Sequence, residues 1–371
     1  MRDPRIDRLA DVLVDHSVQP QAGENVLIEA FDLPDLGLVE SLVRKVAALG
    51  ANPRVHLLSN AVNRAIMQSV SDDGLETLGR VDAEVMKQMQ CYIGIRGASN
   101  TSEMQDVPQE RTKAAQEKWR HPVHLEIRVP KTRWVVLRYP TPSMAQAADM
   151  STEAFEDYYF DVCTADYAAM SERQKPLVAR MEAADQVRIV GPGTDLSFSK
   201  KGISVVPCNG RRNIPDGEVF TAPIRDSVQG QISYNVDTRY QGQVFQNVRF
   251  VFRDGKIVEA DCDGDAGPLN AILDSDEGAR YIGEWSLGCN NAVRRPMLDT
   301  LFDEKIGGSL HFTPGNAYDS ADNENRSQIH WDIVLIQTAD HGGGEVWFDG
   351  ECIRRDGFFL PDDLQPLNEG L

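Results

Sequence analysis

The sequence predicts an α/β protein in two parts: an N-terminal α/β domain with a mainly parallel sheet, then a C-terminal mixed, β-rich α+β domain. Three observations carry this prediction. The chain has 371 residues, more than one hydrophobic core usually organises. Helical and strand-like patterns alternate through the first half, which favours a parallel sheet flanked by helices. Near residue 185 the texture changes to short β-rich runs separated by turns, so the expected domains are 1–185 and 186–371.

The elements follow in order. Ile6, Leu9, Ala10 and Leu13 recur at helical spacing, and Pro20 closes that helix before the apolar run Val26-Leu27-Ile28. A second helix presents Val39, Leu42, Val43 and Val46 on one face, stops at Gly50, and leads to a strand around Val55–Leu58. Further strands are expected at Tyr92–Ile95, His124–Ile127 and Trp134–Tyr139, with Ser151 as the N-cap of a helix carrying Glu153 in its first turn. In the second half, Val187–Val190 and Ile203–Val206 read as strands. Asp254-Gly255 joins Val248–Phe252 to Lys256–Val258, and Asp349-Gly350 closes a last hairpin between Val346–Phe348 and Cys352-Ile353.

Composition narrows the function. The chain is 41% hydrophobic and 26% charged, as an ordinary globular protein is. Its formal charge of -19 repels phosphate backbones and anionic lipid, so neither nucleic acid nor membrane is an expected partner. Met1-Arg2-Asp3-Pro4-Arg5 leads into an amphipathic pattern and not a signal-peptide core, and no apolar run reaches membrane-spanning length. A cytoplasmic location is the expectation. The six cysteines are widely separated and form no CxxC pair, so they read as buried thiols, and any metal must be held mainly by oxygen and nitrogen. Gly191-Pro192-Gly193 lacks the third glycine of a dinucleotide fingerprint and reads as a structural turn. HExxH, P-loop and GxSxG motifs are missing.

The chemistry gathers between Gly283 and Asp332. His330 and Asp332 lie two apart in His330-Trp331-Asp332-Ile333-Val334-Leu335-Ile336, a run of strand character. On a strand such positions share a face, which presents a neutral imidazole and a carboxylate to one ion. Taken alone, the same pair is more often an ion pair. His311 lies between Gly307-Gly308 and Pro314-Gly315, next to turns that can open it to a cleft. Glu218 follows a Pro-Asp-Gly turn at the start of a β-like run, and Glu284 interrupts an apolar segment between Gly283 and Trp285. A buried carboxylate requires a counter-charge, which a metal supplies.

The segments NIPDGEVFTAP, GARYIGEWSLG, DEKIGGSLHFTPGNAY and SQIHWD resemble, in order and approximate spacing, the metal-binding blocks of the aminopeptidase T and aminopeptidase S family of metallopeptidases. GENVLIEA, the Trp134–Thr141 stretch and the segment from Met150 extend the likeness over most of the chain. The resemblance implies Glu218, Glu284, His311, His330 and Asp332 as metal ligands and Tyr318 as the catalytic tyrosine. Glu304 is a further candidate ligand, although its spacing to His311 differs from the family pattern. Thr313 and Pro314 depart from the small and aliphatic residues usual after the histidine, and the stretch from His311 to His330 is short.

Three or four carboxylates with two neutral imidazoles carry about the charge that two divalent ions neutralise, and the donor set suits Zn, Co or Mn. The expectation is therefore an aminopeptidase that removes N-terminal residues from peptides at a dinuclear site, by attack of a metal-bound water. Tyr318 would stabilise the oxyanion and Glu218 would shuttle the proton. The resemblance also implies a homodimer. The rival is a mononuclear non-haem Fe(II) ring-cleaving dioxygenase, related to the dihydroxypyridine dioxygenases and using His311, His330 and Asp332 alone. Glu218 and Glu284, which such a site does not need, favour hydrolysis. A binding module without catalysis is a second rival, which no residue demands.

Overall fold

In the computed structural model, which describes residues 3–371, the chain divides into two units. One runs to Ala165 and includes Gly210–Pro215; the other comprises Asp166–Asn209 and Asp216–Leu371. The division thus falls before the helix Tyr167–Ala183 and not at residue 185. Leu177 and Met181 of that helix join the core of the second unit, which is why it belongs there.

The first unit is built on parallel strands β1 (Asn25–Phe31), β2 (Asn52–Leu58), β3 (Cys91–Arg96) and β4 (Arg133–Arg138). Their order is β2-β1-β3-β4, and the short strand Asn213–Ile214 adds in parallel beside β4. The apolar runs of β1 and β3 are fully buried, as strands covered on both faces must be. Asp3 caps the helix Pro4–Asp11 by accepting from the Arg5 amide at 2.9 Å. The helix Gly37–Ala48 buries Leu38, Val39, Leu42 and Val46 and gives way to Gly50, in the left-handed region at φ 75°. Ser151 caps its helix through the Ala154 amide at 3.2 Å, as its sequence context indicates.

One expected strand is absent. His124–Ile127 lies in an irregular helical stretch with wide π-type turns at Gln116–Arg120 and His124–Arg128. Val123 and Ile127, four apart, are both buried, while Leu125 between them is 50% exposed. That is a helical burial pattern, and an alternating reading of the same apolar residues mistakes it for a strand.

The second unit pairs two main antiparallel sheets and carries a two-stranded ribbon besides. The larger contains eight strands, with Thr194–Ser199 and Gln186–Gly191 at its middle and Lys256–Asp261 and Phe358–Phe359 at its edges. Both expected hairpins are present in it, with Asp254-Gly255 and Asp349-Gly350 at positive φ in the two turns. Gly191-Pro192-Gly193 is the tight connection between its two central strands. The smaller sheet holds β5 (Val206–Cys208), β6 (Glu218–Thr221), β7 (Ile282–Gly288), β8 (Ser309–Pro314) and β9 (Val334–Ile336), in the order β9-β8-β7-β6-β5. Strand β5 starts later than the run Ile203–Val206 suggests, because the Ile203 amide closes a turn onto the Lys200 carbonyl.

Alternation along this smaller sheet decides what faces where. Val219, Trp285, Leu287, Leu310 and Phe312 enter the main apolar core of the unit. Trp285 meets Phe198 of the larger sheet edge-on at 5.2 Å and Phe348 at 5.9 Å. Burial of such aromatics is the dominant stabilisation here, on the order of 2 kcal/mol or more for each side chain. The residues between them, Glu218, Ser286, His311 and Thr313, are left on the opposite face.

Candidate metal centre

Glu218 opens β6 after the turn Pro215-Asp216-Gly217. Gly217 adopts φ 129° and packs so tightly that an added Cβ would lie 2.6 Å from the Asn290 Cβ. Across the sheet Glu218 pairs with Gly288, and Ser286 pairs with His311 on one side and Phe220 on the other. A register shift between Ile282 and Glu284 sets Glu284 opposite Thr313. Such a bulge re-aims one side chain without ending the strand.

His330 and Asp332 precede β9 in an extended segment that continues alongside β8. The regular ladder begins only at Val334, so the expected strand over the whole run is shorter. The expected shared face holds nonetheless. Trp331 and Ile333 go into the core, and His330 Nε2 lies 3.2 Å from Asp332 Oδ1.

Four side chains then stand close together, with Glu284 between the two imidazoles. His311 Nε2 is 2.9 Å from Glu284 Oε1 and 3.9 Å from Asp332 Oδ1, and His330 Nε2 is 3.7 Å from Glu284 Oε2. A four-coordinate ion with ligands at about 2.1 Å sets neighbouring donors about 3.4 Å apart, which these separations bracket. Glu284, His330 and Asp332 form one group of mutually close donors, and Glu218, Glu284 and His311 another. Glu284 Oε2 and His311 Nδ1 are buried without hydrogen-bond partners. The donor set therefore fits a divalent cation, whose presence would satisfy groups that are costly to leave unpaired.

Supporting contacts fix the orientation of these donors. The His330 Nδ1 faces the Asn316 carbonyl at 2.8 Å, which leaves Nε2 for a ligand role. Thr313 donates its hydroxyl hydrogen to Asp332 Oδ1 at 2.7 Å, and Ser286 donates to Glu218 Oε2 at 2.7 Å. Tyr318, half exposed, lies against the His330 ring at 4.6 Å and meets Phe220 edge-on at 6.0 Å.

Electrostatics express the same crowding. Burial alone would lower the histidine pKa values, but the surrounding carboxylates push His311 up to about 9 and His330 to about 10. Burial works equally against a charge on Asp332 and Glu218. The two imidazoles outweigh it for Asp332, and Lys305 and His311 for Glu218, so both carboxyls stay below their ordinary values. Burial wins at Glu284 and at Glu304, which are raised. Withdrawal of the hydroxyl from water, followed by the charges of Glu284 and Asp332, raises the Tyr318 pKa and keeps the phenol neutral.

Among the sequence candidates, Glu218, Glu284, His311, His330 and Asp332 come together, with Tyr318 beside them. Glu304 does not join a group of close metal donors among the described residues; its Oε1 sits 2.6 Å from Lys305 Nζ. Sequence reasoning missed Lys305, which is wholly buried and also pairs with Glu218 Oε1. It missed Asp216, 3.6 Å from the same ammonium, and the supporting Thr313 and Ser286. The only signals for Lys305 and Asp216 are their places inside two of the segments that resemble the family's metal-binding blocks.

Comparison with known proteins gives a consistent result. The model of the family described as "Thermophilic metalloprotease (M29)" matches residues 2–357. The chain is 24% identical to aminopeptidase PepS of Streptococcus thermophilus over 96% of each chain. It is 27% identical to aminopeptidase T of Thermus aquaticus over 62% of this chain and 64% of that protein. In structure it is similar to wild-type AmpT from Thermus thermophilus, with a TM-score of 0.81 and 21% identity over 96% of this chain and 99% of that one. It also shares a fold with 2,5-dihydroxypyridine dioxygenase from Pseudomonas putida KT2440, at a TM-score of 0.61 and 13% identity over 97% and 98%. Because the family match spans nearly the whole sequence, the chain belongs to the thermophilic metalloprotease (M29) family.

Proposed function

We propose that the protein is a metal-dependent aminopeptidase that cleaves N-terminal residues from peptides. The observation that carries this reading is the packing of Glu284 against His311 and His330, and of Asp332 against the same two imidazoles, with donor separations of 2.9–3.9 Å, in a chain of this family. These four residues would hold the ion. A bound divalent cation supplies Lewis acidity at the scissile carbonyl and brings the pKa of a coordinated water from about 15.7 to about 7.

Glu218, ionised and oriented by Ser286, accepts the proton of the attacking water and returns it to the leaving amine. The neutral phenol of Tyr318, at the open side of the His330 ring, donates a hydrogen bond to the developing oxyanion. His311 and His330 must shed their protons before they can serve as ligands. Thr313 holds Asp332 as a directed carboxylate.

The fold shared with a dioxygenase gives the rival reading its footing, since two histidines and one aspartate suit Fe(II). Two features favour hydrolysis: the family match and the presence of Glu284 and Glu218 within the cluster. The test is elemental analysis of the purified protein, paired with an assay on leucine anilide and a dipeptide panel before and after chelation. Chelation should abolish cleavage, and added Zn, Co or Mn should restore it. Metal binding without cleavage of any peptide would reject the proposal, and one iron per chain with oxygen consumption would establish the rival.

A further inference from the structure

The acids of the site fall into two groups with different centres. Glu284 and Asp332 face the two imidazoles. Asp216, Glu218 and Glu304 converge instead on Lys305 Nζ, with Glu304 Oε1 at 2.6 Å, Asp216 Oδ1 at 3.6 Å and Glu218 Oε1 as the first partner. Lys305 is 0% exposed, and the three carboxylates hold its ammonium inside the cluster.

We infer that the Lys305 ammonium occupies the place of a second cation, so that the chain binds one divalent ion, through Glu284, His311, His330 and Asp332, and not two. This inference rests on the metallopeptidase reading and revises only its ion count. Paired catalytic ions lie about 3.5–4 Å apart and share bridging ligands. Glu284 is common to two sets of close donors, one with His330 and Asp332 and one with Glu218 and His311, and in the second set Glu218 Oε2 is 3.5 Å from His311 Nδ1. Glu218 Oε1 is taken up by Lys305, which leaves only Oε2, accepting one hydrogen bond from Ser286, toward the imidazole.

A doubly charged ion drawing on Glu218 and Glu304 would sit within a few ångströms of a buried ammonium, with little water to screen the repulsion. The remaining group is complete without it. Glu284 and Asp332 bring two negative charges, which one divalent ion neutralises while the imidazoles stay neutral. A single ion with three or four protein ligands is sufficient for hydrolysis.

The test is the stoichiometry of the wild-type protein: metal-free chain titrated with zinc or cobalt(II), followed by calorimetry and by elemental analysis after gel filtration. One ion per chain is expected. Two ions per wild-type chain would overturn the inference and leave the metallopeptidase reading standing; no bound ion would overturn that reading itself. Lys305→Met, which removes the charge at similar volume, should raise the count from one to two. A folded Lys305→Met protein that still takes one ion would remove Lys305 as the cause, and if that variant does not fold, the wild-type count decides.

Discussion

The ring of Tyr318 lies 4.6 Å from that of His330, the two planes inclined by 49°. The phenol thus stands beside a proposed ligand without being one. Tyr318→Phe keeps the ring contact and deletes the hydroxyl, so kcat should fall by about 10²-fold, the usual cost of losing one oxyanion donor. Metal content should not change. Steady-state kinetics with elemental analysis checks this, and unchanged turnover would leave the phenol without a role.

Thr313 donates to Asp332 Oδ1 at 2.7 Å from the neighbouring strand. Thr313→Val preserves shape and β-propensity but frees the carboxylate to rotate. Metal affinity should weaken by about 10–100-fold, as loss of a ligand's hydrogen-bond partner commonly does. Competition with a chromophoric chelator measures it, and an affinity equal to wild type would mean that Asp332 is held by other contacts.

His311 and His330 have pKa values raised to about 9 and about 10 from the ordinary 6.5. A pKa raised on folding contributes stability that is complete below the unfolded value and disappears as pH climbs through the folded one. The metal-free protein should therefore lose thermal stability between about pH 7 and pH 10. Cation binding displaces these protons, so it should release protons near neutrality and strengthen with rising pH. Calorimetric titration in two buffers of different ionisation enthalpy reads the release; equal heats in both would contradict it.

Gly283 precedes Glu284 at the register shift, and a Cβ there would lie 2.3 Å from the Asn316 carbonyl oxygen and 2.4 Å from that of Gly315. Gly283→Ala must push β7 away from the loop that carries the His330 partner Asn316. A destabilisation on the order of 1–3 kcal/mol is expected, together with weaker metal binding. Denaturant melts and metal titration test both, and a variant as stable as wild type would show that the loop yields freely.

Local patterns made much of this readable in advance. The Asp254-Gly255 and Asp349-Gly350 turns announce their hairpins because both central positions require positive φ, which these residues tolerate. His330 and Asp332 share a face because the period of an extended chain is two, whether or not a regular ladder forms there. His124–Ile127 reads as a short strand in sequence, whereas burial selects Val123 and Ile127, four apart, as on a helix. The compact units divide ahead of the helix Tyr167–Ala183 and not near residue 185, because which core receives Leu177 and Met181 is a question of packing.

The two-part α/β architecture was legible in residue type and periodicity, and the resemblance of four ordered segments to a known family named that family and the acids and histidines Glu218, Glu284, His311, His330 and Asp332. The tertiary structure alone decided that Lys305 turns inward among Asp216, Glu218 and Glu304, and that Glu304 faces the ammonium and not the imidazoles. Those outcomes depend on charges brought together across strands far apart in sequence. The energy of a buried ion is set by the neighbours that surround it after folding, and no local pattern encodes them.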